Sequence, residues 1–421
     1  MGMKILVLAY AVSPTRGSEY SIAWNYIVEM AKDNSMVVLY GASGSHMGDV
    51  KELETWLISN KVLNVRFVSV LPNRLTSALN FFNKKGILPY TFYFAFHNWQ
   101  RQVLEVARKM IKKENFDVVH YVVPSGFREP GYLWKLGLPY IWGPFAGISN
   151  RPKQLFNSLP FTTRLFFILR NWANYIQFNY NYRLKRALNS TNLLLTGTSE
   201  TKELIEKRYK ISSICLPEHA IVKDGLGAFN YNEGEVFNIL WIATIDARKS
   251  LNFLLKALSK IKVKNWHLHV LGDGPRKPAM VQLAEKMAIS DKISWYGHIP
   301  RIEVFALLKL AHLHVITSLG EGTTTVLFEA MANGIPTITL NHCGMKDVVC
   351  EKCGVKIALQ SEDQIINDIS RAISDFIKNP EKINRLSEGL RVCAKSYSWE
   401  NRRKLFNGFY NLAIENWRKM N

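Results

Sequence analysis

Short apolar runs alternate along nearly the whole chain with segments whose apolar positions repeat every three or four residues. Apolar runs flanked by turn residues predict buried strands, and the helical repeats predict helices between them. In the first half, helices are predicted at Ser18–Lys32 and Phe92–Lys113. The strands predicted there are Lys4–Tyr10, Met36–Tyr40, Val65–Val70, Asp117–Val122, Tyr140–Trp142 and Leu193–Thr196. Strands alternating with helices are typical of α/β proteins with parallel sheets.

A second series of strands follows a stretch without periodicity, Ser213–Glu235, which is rich in glycine and predicts a connection between domains. Its predicted strands are Phe237–Ala243, His267–Leu271, Ile293–Tyr296, His314–Thr317 and Thr337–Leu340, and the helices after them are Glu362–Lys378, Pro380–Ser396 and Glu400–Met420. A chain of 421 residues is long enough for two cores. We therefore predict an α/β fold of two doubly wound, Rossmann-like domains facing across a cleft. Their bounds are 1–216 and 236–399, with a linker at 217–235.

Composition removes several classes of protein. The chain is 48% apolar and 21% charged, which excludes disordered and fibrous proteins. Five scattered cysteines are too few for a disulfide framework and fit a reducing compartment. No apolar run reaches the length of a membrane span, and the chain begins with a strand-like run rather than a signal peptide. We expect a cytoplasmic protein.

The net charge of +20 is concentrated in the first half of the chain. The richest segment, Arg151–Arg186, has seven basic residues, nine aromatic residues and no acidic residue. This composition suits the surface of an anionic membrane. It also suits nucleic acid, through phosphate contacts and base stacking, or a core-packed helix with a solvated basic face. All three interpretations stay open at this point.

The most informative motif is Ser318–Pro336, which reads as the end of a strand, a glycine-bearing loop, a helix and a glycine stop. Amides around Gly322 and Thr323–Thr325 would offer unpaired N–H groups to an anion such as phosphate. Glu321 and Glu329 flank them and could accept hydrogen bonds from sugar or ribose hydroxyls. A Glu pair at this spacing is weak evidence alone, and the strand–loop–helix context gives it weight.

The Glu321-x7-Glu329 motif resembles the sugar-nucleotide signature of family-4 retaining glycosyltransferases, which have the GT-B fold. The resemblance extends to Gly272–Pro275, Trp295–His298 and Tyr397–Glu400. In the family the terminal helix, here 400–421, crosses back onto the first domain. A bacterial surface-polysaccharide branch of the family is indicated by Ala9–Trp24, His120, Arg128–Pro130 and Trp142–Pro144.

This resemblance implies a role for each matching residue. Glu329 would hold the nucleotide ribose, and Glu321 the hydroxyls of the donor sugar. His120, near the fourth strand, would face that sugar. The diphosphate would be held by Gly17 in the first-strand loop, by Lys249, which offsets the charge of the departing diphosphate, and by the amides around Gly322, Thr323, Thr324 and Thr325. The family places Gly-Arg where this chain has Ala243–Thr244, and Arg248 is the candidate replacement.

The implied activity is retaining transfer of a sugar from a nucleotide-diphosphate sugar to a lipid-linked glycan acceptor, and the basic, aromatic segment predicts that it acts at the inner face of the cytoplasmic membrane. No cofactor and no metal are expected, because no Asp-x-Asp cluster adjoins the motif. Cys350-x2-Cys353 resembles half of a zinc site, without a second pair to support it. Two alternative functions stay open. One is a GT-B enzyme that glucosylates nucleic acid, although we do not expect nucleic acid to be a partner of this protein. The other is a non-enzymatic protein that binds sugar nucleotides, which Thr244 suggests.

Overall fold

The computed structural model describes residues 2–222 and 230–421, apart from the side chains of Pro89, Asn157 and Ser158. The chain divides into two compact units. The first comprises Met1–Ile148, Tyr175–Glu218 and Trp399–Asn421, and the second comprises Ser149–Asn174 and His219–Ser398. The division at Glu218 falls inside the predicted linker 217–235, of which residues 223–229 lie outside the described part.

Residues 149–174 group with the second unit, whereas the boundary predicted from the sequence assigned them to the first. Leu155, Phe156 and Phe167 explain this grouping, because they are buried in the core of the second unit. An apolar pattern shows that a segment is buried somewhere. It does not show which of two cores receives it.

The first unit contains a sheet of seven parallel strands in the order β3-β2-β1-β4-β5-β6-β7. The strands are β1 Lys4–Ala9, β2 Ser35–Tyr40, β3 Val65–Ser69, β4 Val118–Val123, β5 Tyr140–Phe145, β6 Leu193–Thr196 and β7 Ile214–Cys215. The helices of this half of the chain are α1 Glu19–Met30, α2 Lys51–Ser59, α3 Arg74–Leu79, α4 Phe81–Lys84, α5 Phe92–Ile111, α6 Phe161–Tyr180, α7 Tyr182–Asn189 and α8 Ser199–Tyr209.

The second unit contains six parallel strands in the order β10-β9-β8-β11-β12-β13. The strands are β8 Phe237–Ile242, β9 Trp266–Leu271, β10 Ile293–Gly297, β11 Leu313–Ile316, β12 Thr337–Leu340 and β13 Gly354–Ile357. The helices are α9 Leu251–Ser259, α10 Lys277–Lys286, α11 Arg301–Leu310, α12 Thr325–Ala332, α13 Cys343–Val348, α14 Glu362–Lys378 and α15 Pro380–Ser396; α16 Trp399–Met420 returns to the first unit.

These elements follow from local sequence. The central strands β4 and β5 are buried at every position, as in a sheet covered by helices on both faces. Helix starts are fixed by side chains that accept a hydrogen bond from a first-turn amide: Thr198 for α8, Thr324 for α12 and Ser361 for α14. The two Rossmann-like sheets confirm the predicted α/β class.

Helix α16 closes the first unit, as the resemblance implied. Phe406, Tyr410 and Ala413 on this helix are almost fully buried. The Tyr410 hydroxyl lies 2.5 Å from that of Tyr26 on α1, and the Tyr410 ring lies 6.0 Å from the His120 ring on β4. The last helix of the chain therefore packs in the same core as α1 and β4.

Candidate active site

The second sheet reverses its strand order between β8 and β11, which lie side by side. In doubly wound sheets a ligand binds beyond the carboxyl ends of the strands at such a reversal. The loops that follow these two strands are joined there: the Leu319 amide donates to the Arg248 carbonyl at 2.8 Å. The Thr317 hydroxyl also donates to the Lys249 carbonyl at 2.6 Å. A small recess at this point is lined in part by Ala243, Lys249, Ser318 and Thr324.

Three predicted residues meet at this recess. The Glu321 carboxylate accepts hydrogen bonds from Arg248 at 2.8 Å and from the Ser318 hydroxyl at 2.9 Å, and it forms an ion pair with Lys249. Asp246 shapes the loop by accepting from the amides of Arg248 and Lys249 at 2.8 and 3.0 Å. The sequence therefore identified a set of side chains that the fold brings into direct contact.

Lys249 is the most strongly perturbed of these groups. Its side chain is 14% exposed. Burial, and then the positive charge of Arg248, lower the pKa of Lys249 to about 7. Desolvation disfavours the charged form of a lysine, and the Glu321 carboxylate that pairs with Lys249 is shared with Arg248, so a further anion would stabilise the lysine charge. A phosphate group arriving at this recess would supply that anion.

Arg151 is a site residue that sequence reasoning missed, because it was counted as part of the basic surface segment. It is only 8% exposed, and its guanidinium donates to the Leu319 carbonyl at 3.4 Å. Among the described residues, its Nε atom has no hydrogen-bond partner. Burial, followed by the nearby charges of Arg170 and Arg248, lowers the pKa of Arg151 to about 9. A buried cation crowded by other cations marks a place where an anion binds.

Gly320 explains how Arg151 reaches this position. A Cβ atom on Gly320 would lie 1.4 Å from a nitrogen of the Arg151 guanidinium, so any other residue would displace that side chain. The glycine in the motif is therefore required by the arginine that packs on it. The requirement for glycine comes from the close approach of the Arg151 guanidinium to Gly320, and the spacing of the motif does not show it.

The start of α12 holds the predicted amide cluster. The Thr324 hydroxyl accepts from the Leu327 amide at 3.2 Å, and the Thr325 hydroxyl lies 3.2 Å from the ring of His219. The amides of Thr325 and Val326, the first two residues of α12, have no hydrogen-bond partner within the helix. The neighbouring residue Thr323 is buried. Helix geometry thus leaves these first amides without an acceptor inside the helix.

Gly322 lies in the loop before α12 and is held from behind. Its carbonyl accepts from the Gly344 amide at 2.9 Å. A Cβ on Gly344 would lie 2.2 Å from that carbonyl oxygen, so glycine is needed at 344 for this approach. The loop that carries Glu321 is therefore fixed on both sides.

Glu329 lies on α12, with its side chain 17% exposed. Its carboxylate pairs with Arg301 at the start of α11, at 2.6 Å. Burial raises the pKa of Glu329, and Arg301 opposes this rise. A ribose hydroxyl at Glu329 would therefore share the carboxylate with Arg301, a partner that the sequence did not reveal.

The first sheet reverses between β1 and β4, and here the loops are joined by a carboxylate. Glu19, two residues after Gly17, accepts from the Ser125 amide at 2.9 Å, and burial raises its pKa. The neighbouring Ser18 adopts a positive φ of 56° and does not cap α1 with its side chain. Gly17 thus belongs to a loop anchored across the reversal point of the first sheet.

His120 differs from the expectation that it faces a donor sugar. It lies inside β4, is 0% exposed, and has partners at both ring nitrogens. Nε2 donates to the Gly143 carbonyl at 2.8 Å, so Nδ1 accepts from the Tyr26 hydroxyl at 2.7 Å. Burial lowers the pKa of His120 to about 4, so the ring is neutral near pH 7. In this structure His120 is a buried group that joins β4 and β5 to α1.

The two parallel sheets and their strand orders identify the fold class. The fold is that of GT-B glycosyltransferases. The solved lipopolysaccharide outer core galactosyltransferase WaaB matches with a TM-score of 0.65 and 15% identity, over 96% of this chain and 98% of that one. The HepE protein of Anabaena, solved with UDP and glucose, matches with a TM-score of 0.58 and 12% identity, over 97% and 99% of the two chains.

The second unit is similar in sequence to known glycosyltransferases. Residues 229–391 match the family model for glycosyl transferases group 1. An uncharacterized glycosyltransferase of Haemophilus influenzae is 26% identical over 243 residues, which are 54% of this chain and 65% of that protein. Both the family match and the site at the β8–β11 reversal lie in the second unit.

Proposed function

We propose that the protein is a retaining glycosyltransferase that moves a sugar from a nucleotide-diphosphate donor to a glycan acceptor. One observation carries the proposal: Arg151, Arg248 and Lys249 gather at the β8–β11 reversal, where Lys249 and Thr324, the N-cap of α12, line one recess. The group 1 match and the UDP held by the Anabaena protein support the same assignment. The galactosyltransferase neighbour supports a bacterial lipopolysaccharide or polysaccharide as the product.

The cluster is suited to a diphosphate on electrostatic grounds. The diphosphate of a nucleotide sugar carries two negative charges, and buried cations stabilise it without reorganisation of solvent. Arg151 and Arg248 provide guanidinium groups where the family arginine is replaced by Thr244. Lys249 and Glu321 form an ion pair. When the donor binds, its phosphate would pair with the lysine, and the sugar hydroxyls would donate hydrogen bonds to the carboxylate.

The proposed reaction proceeds on one face of the donor sugar. The acceptor hydroxyl forms a new bond to the anomeric carbon, and the bond from that carbon to the phosphate oxygen breaks with its electron pair. The hydroxyl proton passes to the departing phosphate oxygen, and Lys249 and the arginines stabilise the remaining charge. Attack on the face that the diphosphate leaves retains the anomeric configuration.

A divalent metal is not required in this scheme, because fixed cations offset the diphosphate charge. Enzyme freed of magnesium and manganese by gel filtration should therefore transfer sugar at the same rate as enzyme to which these ions are added. Loss of transfer that only magnesium or manganese restores would contradict this part of the proposal.

The anomeric coupling constants of donor and product test the reaction directly. The protein is incubated with a panel of nucleotide sugars and a lipid-linked glycan extract, and released nucleoside diphosphate is measured. Lys249→Ala should lose release, whereas Lys262→Ala, an exposed control in the same unit, should keep it. No release with any donor would favour a binding protein, and an inverted product would exclude the retaining mechanism.

We also propose that the protein binds the inner face of the cytoplasmic membrane through α6. Phe161, Leu165, Ile168, Leu169 and Trp172 recur at helical spacing and are all exposed, Phe161 to 77% and Trp172 to 63%. Aliphatic groups at this density suit acyl chains, and they have no counterpart in base stacking, so a bilayer is favoured over nucleic acid. Among the described residues, no helix is long and apolar enough to cross a membrane.

The basic residues of Arg151–Arg186 divide between surface and interior. Arg151 is buried, Arg170 donates to the Ser149 carbonyl at 3.2 Å, and Arg183 pairs with Glu129 at 2.7 Å. Lys153, Arg164, Lys185 and Arg186 remain exposed. Of the seven basic residues in this segment, only part therefore face solvent.

Co-sedimentation with anionic liposomes at low and high salt tests the membrane proposal. A variant with Phe161, Leu165 and Leu169 changed to Ser should lose binding. One with Lys153 and Arg164 changed to Gln should keep part of it and become less salt-sensitive. Lys262→Gln is the control in the same unit. Equal binding by all forms, or none by the wild type, would contradict the proposal.

A further inference from the structure

We propose that Cys350, Cys353 and Cys393 bind one zinc ion through three thiolates. The Cys350 sulfur lies 3.5 Å from that of Cys353 and 3.2 Å from that of Cys393. All three sulfurs lie within 4.8 Å of one another. Tetrahedral zinc with Zn–S bonds of about 2.3 Å separates its sulfur ligands by about 3.8 Å, so small side-chain movements would form the site.

The backbone builds this arrangement from two separate segments. A tight turn places Cys350 and Cys353 together: the amides of Cys353 and Gly354 both donate to the Cys350 carbonyl, at 3.0 and 3.1 Å. The Cys350 amide donates to the Cys353 sulfur at 3.2 Å, a contact that stabilises a thiolate.

Helix α15 supplies the third sulfur because one of its residues is a glycine. A Cβ on Gly389 would lie 1.9 Å from the Lys352 carbonyl oxygen, so α15 can approach the turn this closely only with glycine there. Cys393 follows four residues later, on the same helix face. The sequence shows a lone Cys-x2-Cys pair, and the fold completes it from a distant helix.

Metal binding accounts for the geometry better than a disulfide does. Cys350 contacts both other sulfurs, and a disulfide would use two of the three. Cys353 is 2% exposed, whereas Cys350 and Cys393 are half-buried, which leaves an open side for a water molecule as fourth ligand. Thiolate ligands select soft cations such as zinc over magnesium or calcium.

The position of the cluster suggests a structural ion. The cysteines pack with Leu327, Phe328 and Met331 of α12 in one core cluster, and α12 starts at the candidate active site. Zinc would fasten α15 to the turn that precedes β13 and so support the packing behind α12. This inference does not depend on the proposed transfer, since neither Lys249 nor Glu321 is a ligand.

The metal content of the full chain, purified under reducing conditions, tests the inference. Zinc should be present at close to one ion per chain. After exchange with cobalt, the protein should show thiolate-to-cobalt charge transfer and the visible bands of tetrahedral cobalt. Cys393→Ser should reduce zinc affinity by at least about tenfold, because only two thiolates remain. Cys215→Ser, on β7 in the other unit, should keep both signals.

A second measurement on the wild type guards against a variant that misfolds. Zinc should protect the three cysteines from alkylation, and a chelator should expose them and lower the melting temperature. Wild-type protein without zinc and without the cobalt signature would overturn the inference. A disulfide between two of these cysteines, detected as a protein mass lower by two hydrogens, would also overturn it. Zinc binding by Cys393→Ser at the wild-type affinity would do the same.

Discussion

The two sheets share one topology at their reversal points but differ in chemistry. In the first unit, Glu19 bridges β1 and β4 through the Ser125 amide, and His120 is sealed between Tyr26 and Gly143. In the second unit, Arg248 and Lys249 pair with Glu321, and the buried Arg151 lies close to Arg248. The same parallel arrangement thus joins its loops through a buried carboxylate in the first unit and gathers cations in the second. Topology predicts where a ligand binds, and the loop residues decide which ligand it is.

The largest effect should come from Glu321. Glu321→Ala removes the partner of two cations and the proposed contact to the reacting sugar, so kcat should fall by about 10²–10³-fold. Glu329→Ala should instead raise donor KM by about tenfold with a smaller change in kcat, since the ribose is remote from the reaction. Steady-state kinetics of both variants separate the two roles. The reversed pattern would mean that the roles are exchanged.

Arg151 should rank next. Arg151→Gln leaves the fold intact but removes a buried charge, and donor affinity should fall by about tenfold or more. Gly320→Ala should have a similar effect, because the added methyl group occupies the place of the guanidinium. Lys153→Gln, two residues away and exposed, is the matched control for calorimetric titration with donor. Unchanged affinity in both Arg151→Gln and Gly320→Ala would exclude Arg151 from the site.

A moderate dependence on pH should follow from Lys249. The protonated form binds the diphosphate, and its pKa in the free protein lies near 7. Below pH 7 the charge is already present, whereas above pH 7 binding must take up a proton, so donor affinity should fall by up to about tenfold per pH unit. Lys249→Arg stays charged and should flatten this dependence. Affinity that rises with pH in the wild type would contradict the assignment.

The smallest functional effect should come from the first unit. Tyr410→Phe removes the hydroxyl that lies 2.5 Å from Tyr26, and it should lower the free energy of unfolding by about 1 kcal/mol. Donor KM should stay unchanged, because the Tyr410–Tyr26–His120 chain is buried within the first unit. Thermal unfolding and kinetics measured together test this. A large rise in donor KM with normal stability would return His120 to the donor site.

Much of the fold could be predicted from sequence because both sheets are buried on two faces. Buried parallel strands leave continuous apolar runs, and helices α14 and α15 have the predicted bounds. Strands β7 and β13 were missed, since one has two residues and the other, Gly354–Ile357, mixes glycine and lysine with its apolar residues. Edge strands with one neighbour need less apolar surface.

The site could be predicted only where its residues are close in sequence. Glu321, Glu329 and the amides between them come from one loop and helix, and Lys249 from one motif. Arg151 and Arg301 come from other segments, and the packing that brings them in leaves no periodic signal. The donor-site role of His120 stays a prediction, because residue type and strand position do not show whether a ring points into a core, and in this structure the ring is buried.

Donor binding by the second unit is the central claim, and native mass spectrometry tests it most directly. The full chain is sprayed with a panel of nucleotide sugars, beside Lys249→Ala, Arg151→Gln and the Lys262→Ala control. We predict one donor per wild-type and control chain, and loss of that donor from the other two variants. Retention of the donor by Lys249→Ala and Arg151→Gln, or no binding by the wild type, would contradict the account.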